Sequence, residues 1–419
     1  MRILHTADWH LGRIFHGEHL TAHQAHVLDQ FVAMAREVRP HAVIIAGDVY
    51  DRAVPPPDAV ALLDDVLSRL VSETDAHVIL IAGNHDSAAR IGFGARLLAA
   101  ARVHVRGRFD PAVEPVTVED DHGPVHILPL PFLEPLEVRN TLNHQAEVAG
   151  AADETAKGEG ETPAREVPAI AAEDQAAAMR AALAAAAARL PGEGRRVLVA
   201  HATVAGALLS DSERPLAIGG VEAVPPDLLA GFHYVALGHL HRPQAAGAET
   251  VRYAGSLLKY SFSEAGHEKS ATFVEMDGEG RCAVELLPFS PKRDVRILTG
   301  TLEALLERAA EDPGREDWLL ARLEDAMPPP DAFERLRQAW PNLLQVELRP
   351  AGAAGAVEGA CAGGEGALAD AGLAGAQARD LAGLFAAFHE AMTGEPLSPE
   401  GMVEVQAALE DMRRAAREA

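Results

Sequence analysis

The chain has 419 residues, enough for two or three domains with a sizeable core in at least one, and a formal net charge of −25. That acidity argues against charge-driven nucleic-acid binding by the whole surface and leaves room only for a local basic groove, or for metal ions that offset an acidic site. Cys282 and Cys361 are far apart and form no CxxC, so neither a disulfide framework nor a thiolate zinc site is indicated. No apolar run approaches a membrane span, and MRILHTADWH enters a strand without a leader's apolar stretch, so the expectation is a cytoplasmic protein with no membrane partner.

In chain order, residues 2–7 predict a first strand ending at Asp8, then a loop and a helix over 21–38. His16, His19, His23 and His26 recur at helical spacing there. With no carboxylate or cysteine joining them, they read as a partly exposed face and not as ligands. VIIA before Gly47 predicts a buried parallel strand over 42–46 whose mouth carries Asp48 and Asp51. A helix over 58–72, a strand over 77–82 ending in GNHDS and a helix over 91–101 follow. Short strands come next, around 103–105, 116–118 and 125–128. Apolar strands alternating with helices indicate a layered α/β fold with parallel pairing.

Residues 145–171 are small, charged and poor in aromatics, which reads as a mobile surface insertion. A helix-prone alanine-rich stretch spans 172–190. Apolar strands then end at His201 and at His239 and His241, and segments 251–256, 269–276 and 282–289 read as an antiparallel continuation. From about residue 291 to 350 the order β-α-β-α-β predicts a small separate domain. A Gly/Ala-rich linker (351–375) and two amphipathic helices (376–419) complete the chain. Without a core of their own, those helices suit docking on a partner.

Asp8, His10, Asp48, Asn84, His85, His201, His239 and His241 each follow an apolar strand, so parallel pairing would gather them at one sheet edge. Carboxylate, imidazole and amide without sulfur suit Mn²⁺, Mg²⁺ or Fe²⁺, and could suit Zn²⁺. Seven candidate ligands are too many for one ion and about right for two, with Asp48 the natural bridge. Two such ions can activate water and clamp a phosphate. His85, just beyond Asn84, is placed to contact the phosphate or protonate the leaving oxygen. Taken singly, DxH, GD or a lone strand-end histidine is weak, whereas GNHD and GHLH are specific, and their conjunction is far more so.

These motifs, DWH, GDVYDRAVPP, GNHDS, His201 and GHLHRP, resemble the calcineurin-type metallophosphoesterases. With LPLPFLEP and VRYAGSLLKYSFSE, they resemble more narrowly the nuclease subunits of bacterial SbcCD-type complexes. The resemblance implies two mixed β-sheets sandwiched between helices over residues 1–290, with a small α+β capping domain over 291–350. It implies one ion on Asp8, His10, Asp48 and His241, and a second on Asp48, Asn84, His201 and His239. His85 would be the catalytic histidine. Asp51, a second catalytic candidate, stands where related nucleases carry a histidine. The implied ions are Mn²⁺ above Mg²⁺ or Fe²⁺. The implied partners are DNA ends and hairpins and an SbcC-like coiled-coil ATPase bound by the C-terminal helices, in a heterotetramer built on a homodimer. DNA contacts would have to be local, with Arg13, Arg52, Arg90, Lys259, Lys292 and Arg293 as candidates. The competing expectations are a phosphoesterase of nucleotides or cyclic nucleotides, and a non-catalytic DNA-end tether.

Overall fold

Alternation along each strand decides the layering. In the first strand, Arg2–Thr6, Ile3 points to one core and Leu4 to another, and both are fully buried. Along Ala42–Ala46, Ala42, Ile44 and Ala46 share the face of Ile3 while Val43 and Ile45 share that of Leu4. A strand apolar on both faces needs a covered sheet on both sides. The computed structural model supplies that cover, and describes residues 1–156, 173–187, 189–192, 194–213 and 223–349, with 398, 401, 402 and 405 beyond them.

Two six-stranded mixed sheets stack face to face. The first runs Cys282–Pro288, Ser270–Met276, Arg2–Thr6, Ala42–Ala46, His77–Ile81, Val103–Arg106, parallel from Arg2–Thr6 onward and antiparallel at the other edge. The second runs Gln244–Ala246, Ala248–Tyr253, Tyr234–Gly238, Arg195–His201, Gly123–Pro129, Val116–Asp120, with four parallel strands at its centre. Ile3, Ile44, Ile79, Ile127, Val197 and Tyr234 fill the space between the sheets. The helices Thr21–Val38 and Pro57–Glu73 cover the outer face of the first sheet through Phe31, Leu28, Val66 and Leu70. Gln175–Ala187 covers the second through Ala178, Met179 and Ala182. The fold is thus α/β, two mixed sheets between helical layers.

Three local expectations change. The predicted helix over 91–101 is three short turns, Ala88–Ile91, Ala95–Leu98 and Ala99–Ala101, because Gly92 and Gly94 (φ 71°) interrupt it. The segment around 251–256 does not continue one antiparallel sheet. Ala248–Tyr253 pairs in parallel with Tyr234–Gly238, while Ser270–Met276 and Cys282–Pro288 join the other sheet. The helix Pro135–Ala156 runs into the stretch read as an insertion from 145, and residues 157–172 lie outside the described ones.

Residues 295–348 form the expected β-α-β-α-β run as a three-stranded parallel sheet. Its central strand, Trp318–Leu323, alternates between two cores. Trp318 and Leu320 pack into the core of the first large sheet, and Leu319, Ala321 and Leu323 meet Leu305, Leu336 and Trp340. The His23 ring lies 4.5 Å from that of Trp318, which gives one of the helical histidines a packing role. Residues 352–419 form a separate unit, and the linker and terminal helices expected there lie almost wholly outside the described residues. Among the described residues, no helix is long and apolar enough to cross a membrane.

Candidate metal centre

The C-terminal ends of both sheets meet at one edge, and the backbone is held close there. The His201 ring approaches the turn at Gly47, and its Nδ1 lies 2.9 Å from the Ala46 carbonyl oxygen. Gly47 has φ 90°, and a Cβ on it would lie 2.9 Å from His201 Cγ. Only glycine both takes that conformation and leaves room for the ring. Asp8, His10, Asp48 and His239 also have positive φ (53°, 45°, 46° and 104°), half of the eight such non-glycine residues described. Strained backbone collects here because tight turns aim these side chains inward. The loop after the first strand is tied to that after the second by Asp8 N–H to Gly47 O (3.1 Å) and His10 N–H to Asp48 O (2.9 Å).

Two donor groups built from the predicted ligands converge, and His10, Asp51 and His85 form a further cluster beside them. In one, His201 Nε2 and His239 Nδ1 each lie 3.1 Å from Asn84 Oδ1, and His201 Nε2 is 3.4 Å from Asp48 Oδ2. In the other, His10 Nε2 and His241 Nε2 are 3.0 Å apart, beside Asp8. Asp48 Oδ2 lies 3.7 Å from His10 Nε2, so the same oxygen faces both groups, while Oδ1 accepts from His85 N–H at 2.8 Å. All of these except Asn84 are buried. His85 stands just outside, its Nδ1 3.0 Å from the Asp51 carbonyl oxygen and its Nε2 4.0 Å from Asp48 Oδ2. The Asp51 carboxylate turns to Arg13 (3.1 Å) and to His10 Nδ1 (3.4 Å).

The electrostatics suit a cation. Burial pushes His10 and His239 down to about 3 and lowers His241, so these imidazoles are neutral with ring lone pairs free at neutral pH. Burial also raises Asp8 well above the ordinary carboxylate range. Burial works in the same direction on Asp48, yet His201, His10 and His85 hold it well below that range. Burial would lower His201, but Asp48 and Asp8 raise it to about 9. Burial likewise opposes Asp51's ionisation, and contacts to His10 and Arg13 bring it to about 2. The carboxyl groups of Asp8 and Asp48, the neutral rings of His10, His239 and His241, and His201, whose proton balances Asp48 and would give way to a bound cation, form an oxygen and nitrogen donor set. Divalent ions fit it.

The supporting residues were not apparent from sequence. Asp86 accepts from the N–H groups of Gly83, Val49 and Tyr50, which locks the GNHD loop to the GD loop. Gln24, fully buried, donates to the carbonyls of Trp9 and His10 and fixes the DWH turn. Glu213 accepts from His241 N–H. Only Asp86 had a signal, since it closes the GNHD motif. Of the proposed DNA-contacting cations, Arg13 and Lys259 turn inward, Lys259 onto Asp294 at 2.8 Å. Arg52, Arg90 and Lys292 are exposed and Arg293 half-buried.

Residues 1–158 match the calcineurin-like phosphoesterase family, and residues 291–392 match the family described as type 5 capsule protein repressor C-terminal domain. The curated SbcD component of the SbcCD nuclease of Staphylococcus saprophyticus is 32% identical over 346 residues, covering 83% of this chain and 84% of its own length. The chain belongs to the SbcD nuclease family. It is accordingly a metal-dependent hydrolase of the phosphodiesterase and nuclease class. Among solved structures, TT1561 of Thermus thermophilus aligns over 68% of this chain and 98% of its own, at 15% identity and a TM-score of 0.36.

Proposed function

We propose that this chain hydrolyses phosphodiesters of DNA at duplex ends and hairpins, using two divalent ions, Mn²⁺ in the first instance. The observation that carries the reading is the single buried oxygen, Asp48 Oδ2, facing two donor groups at the common edge of both sheets. Asp8, His10, Asp48 and His241 would hold one ion, and Asp48, Asn84, His201 and His239 the other. When bound, such a pair activates water and offsets the charge of the phosphate. The Asp51 carbonyl orients His85 through Nδ1, which presents Nε2 to the site for a proton passed to the leaving oxygen. The Asp51 carboxylate acts at one remove, on the outer nitrogen of His10 and on Arg13.

Residues 291–350 would cap the site against DNA, and 376–419, beyond the linker 351–375, would bind an SbcC-type ATPase in the cytoplasm. A homodimer within a heterotetramer is the assembly this implies. The test is hydrolysis of linear duplex DNA, a cyclic nucleotide and an aryl phosphodiester with Mn²⁺ and the ATPase present. Degradation of the duplex, abolished by His85→Ala, is expected. Turnover of the cyclic nucleotide with intact duplex would overturn the reading. Removing residues 376–419 should abolish co-purification with the ATPase, and retained binding would count against the assigned docking segment.

A further inference from the structure

Outside the donor groups lies a polar chain, running from half-buried Ser212 to the buried Glu264 and Lys269, that the reaction itself does not use. His241 Nδ1 is 2.6 Å from Ser212 Oγ, and Ser212 Oγ donates to Glu264 Oε1 at 2.5 Å. Glu264 is fully buried and lies opposite Lys269, whose Nζ donates to Glu264 Oε2 at 2.5 Å. The same ammonium donates to the His241 carbonyl (2.7 Å) and to Ser256 Oγ (2.9 Å). Glu264 Oε1 further accepts from Tyr260 N–H at 3.0 Å.

Counting protons fixes the tautomer. Ser212 has one hydroxyl hydrogen, and the carboxylate facing the Lys269 ammonium has none to give. The serine hydrogen therefore goes to Glu264, and the hydrogen between His241 and Ser212 must come from Nδ1. That leaves the lone pair of His241 on Nε2, the nitrogen that faces His10 Nε2 at 3.0 Å. A serine oriented the other way would force the proton onto Nε2 and close that nitrogen to a cation. Lys269 grips the His241 backbone from the other side, so ring and main chain are fixed by the same charged pair.

We propose that Ser212 and Glu264 are positioning residues that hold His241 in its Nδ1–H tautomer, with Nε2 set toward the metal centre. This rests on the reading of His241 as a ligand. The competing role is purely architectural, the Glu264–Lys269 pair merely tying down the 256–269 loop. Ser212 separates the two, because Ser212→Ala breaks the relay and leaves Glu264, Lys269 and Tyr260 in contact. Outer partners of ligating histidines are worth about 10- to 100-fold in metal affinity.

The experiment is Mn²⁺ titration of the full-length protein by calorimetry, with electron paramagnetic resonance to report spin-coupled pairs. Wild type, Ser212→Ala, Ser212→Thr and His241→Ala are compared. Ser212→Ala should weaken one of two ions by about 10- to 100-fold and reduce the coupled-pair signal at limiting metal. Ser212→Thr, which keeps the hydroxyl, should restore both. Two ions at wild-type affinity in Ser212→Ala, alongside loss of one in His241→Ala, would overturn the relay alone. Two full-affinity ions in His241→Ala would overturn the ligand reading instead. Thermal melts of the metal-free variants exclude unfolding as the cause, and Glu264→Gln repeats the test from the other end of the relay.

Discussion

Gly47→Ala tests how the fold holds the centre together. Gly47 has φ 90°, and its added Cβ would lie 2.9 Å from His201 Cγ and 3.1 Å from Gly83 Cα. Holding alanine in that backbone region costs about 1–3 kcal/mol. Displacing the ring costs about 1 kcal/mol more by stretching the Nδ1 contact to the Ala46 carbonyl. Metal-free protein should therefore lose about 2–4 kcal/mol in urea unfolding. The same displacement moves His201 Nε2 from Asn84 and Asp48, and a shift of about 1 Å in such a group costs roughly 100-fold in rate. Gly17→Ala is the control, for Gly17 has φ 88° with nothing within 4 Å of an added Cβ. It should show the backbone cost and keep full activity. Gly47→Ala with wild-type rate and stability no lower than Gly17→Ala would refute the close-approach reasoning.

Other outcomes follow from the same geometry. His85→Ala should lower kcat by about 10²- to 10⁴-fold while both ions stay bound, because His85 Nε2 lies 4.0 Å from Asp48 Oδ2 and outside both donor groups; loss of an ion would contradict that. Acid should act through Asp120, whose carboxyl the Arg195 guanidinium (2.8 Å) holds far below the ordinary range. A depressed folded value means that its stabilisation is complete above about pH 4 and is lost as pH falls further. Urea midpoints from pH 5 to 3 should therefore fall more steeply in wild type than in Asp120→Asn, and parallel slopes would sink the assignment.

The centre was legible because chemistry and fold coincide in its motifs. Gly47, Asn84 and the GHLH run are poor strand residues placed directly after buried strands, so their positions announce themselves. The layering was legible for a related reason, since strands such as VIIA are apolar on both faces and demand cover on both sides. What escaped reading depends on partners distant in the chain. Ser212 and Glu264 are ordinary loop residues until the fold sets them beside His241 and Lys269. Gln24 looks like one polar position on a helix until it reaches the carbonyls of Trp9 and His10. The pairing of Ala248–Tyr253 was misread because nothing in a strand's own residues states which sheet it joins. Lys259 looked free for DNA, and Asp294, far along the chain, occupies it.

Metal stoichiometry in two aspartate variants tests the shared-carboxylate centre most directly. Asp48 Oδ2 faces both donor groups, whereas Asp8 belongs to one. At Mn²⁺ concentrations that saturate the wild-type sites, wild type should hold two ions per chain. Asp8→Ala should keep one at close to full affinity, and Asp48→Ala should weaken both. An Asp48→Ala protein that retains one ion at wild-type affinity, indistinguishable from Asp8→Ala, would contradict a bridging role for Asp48.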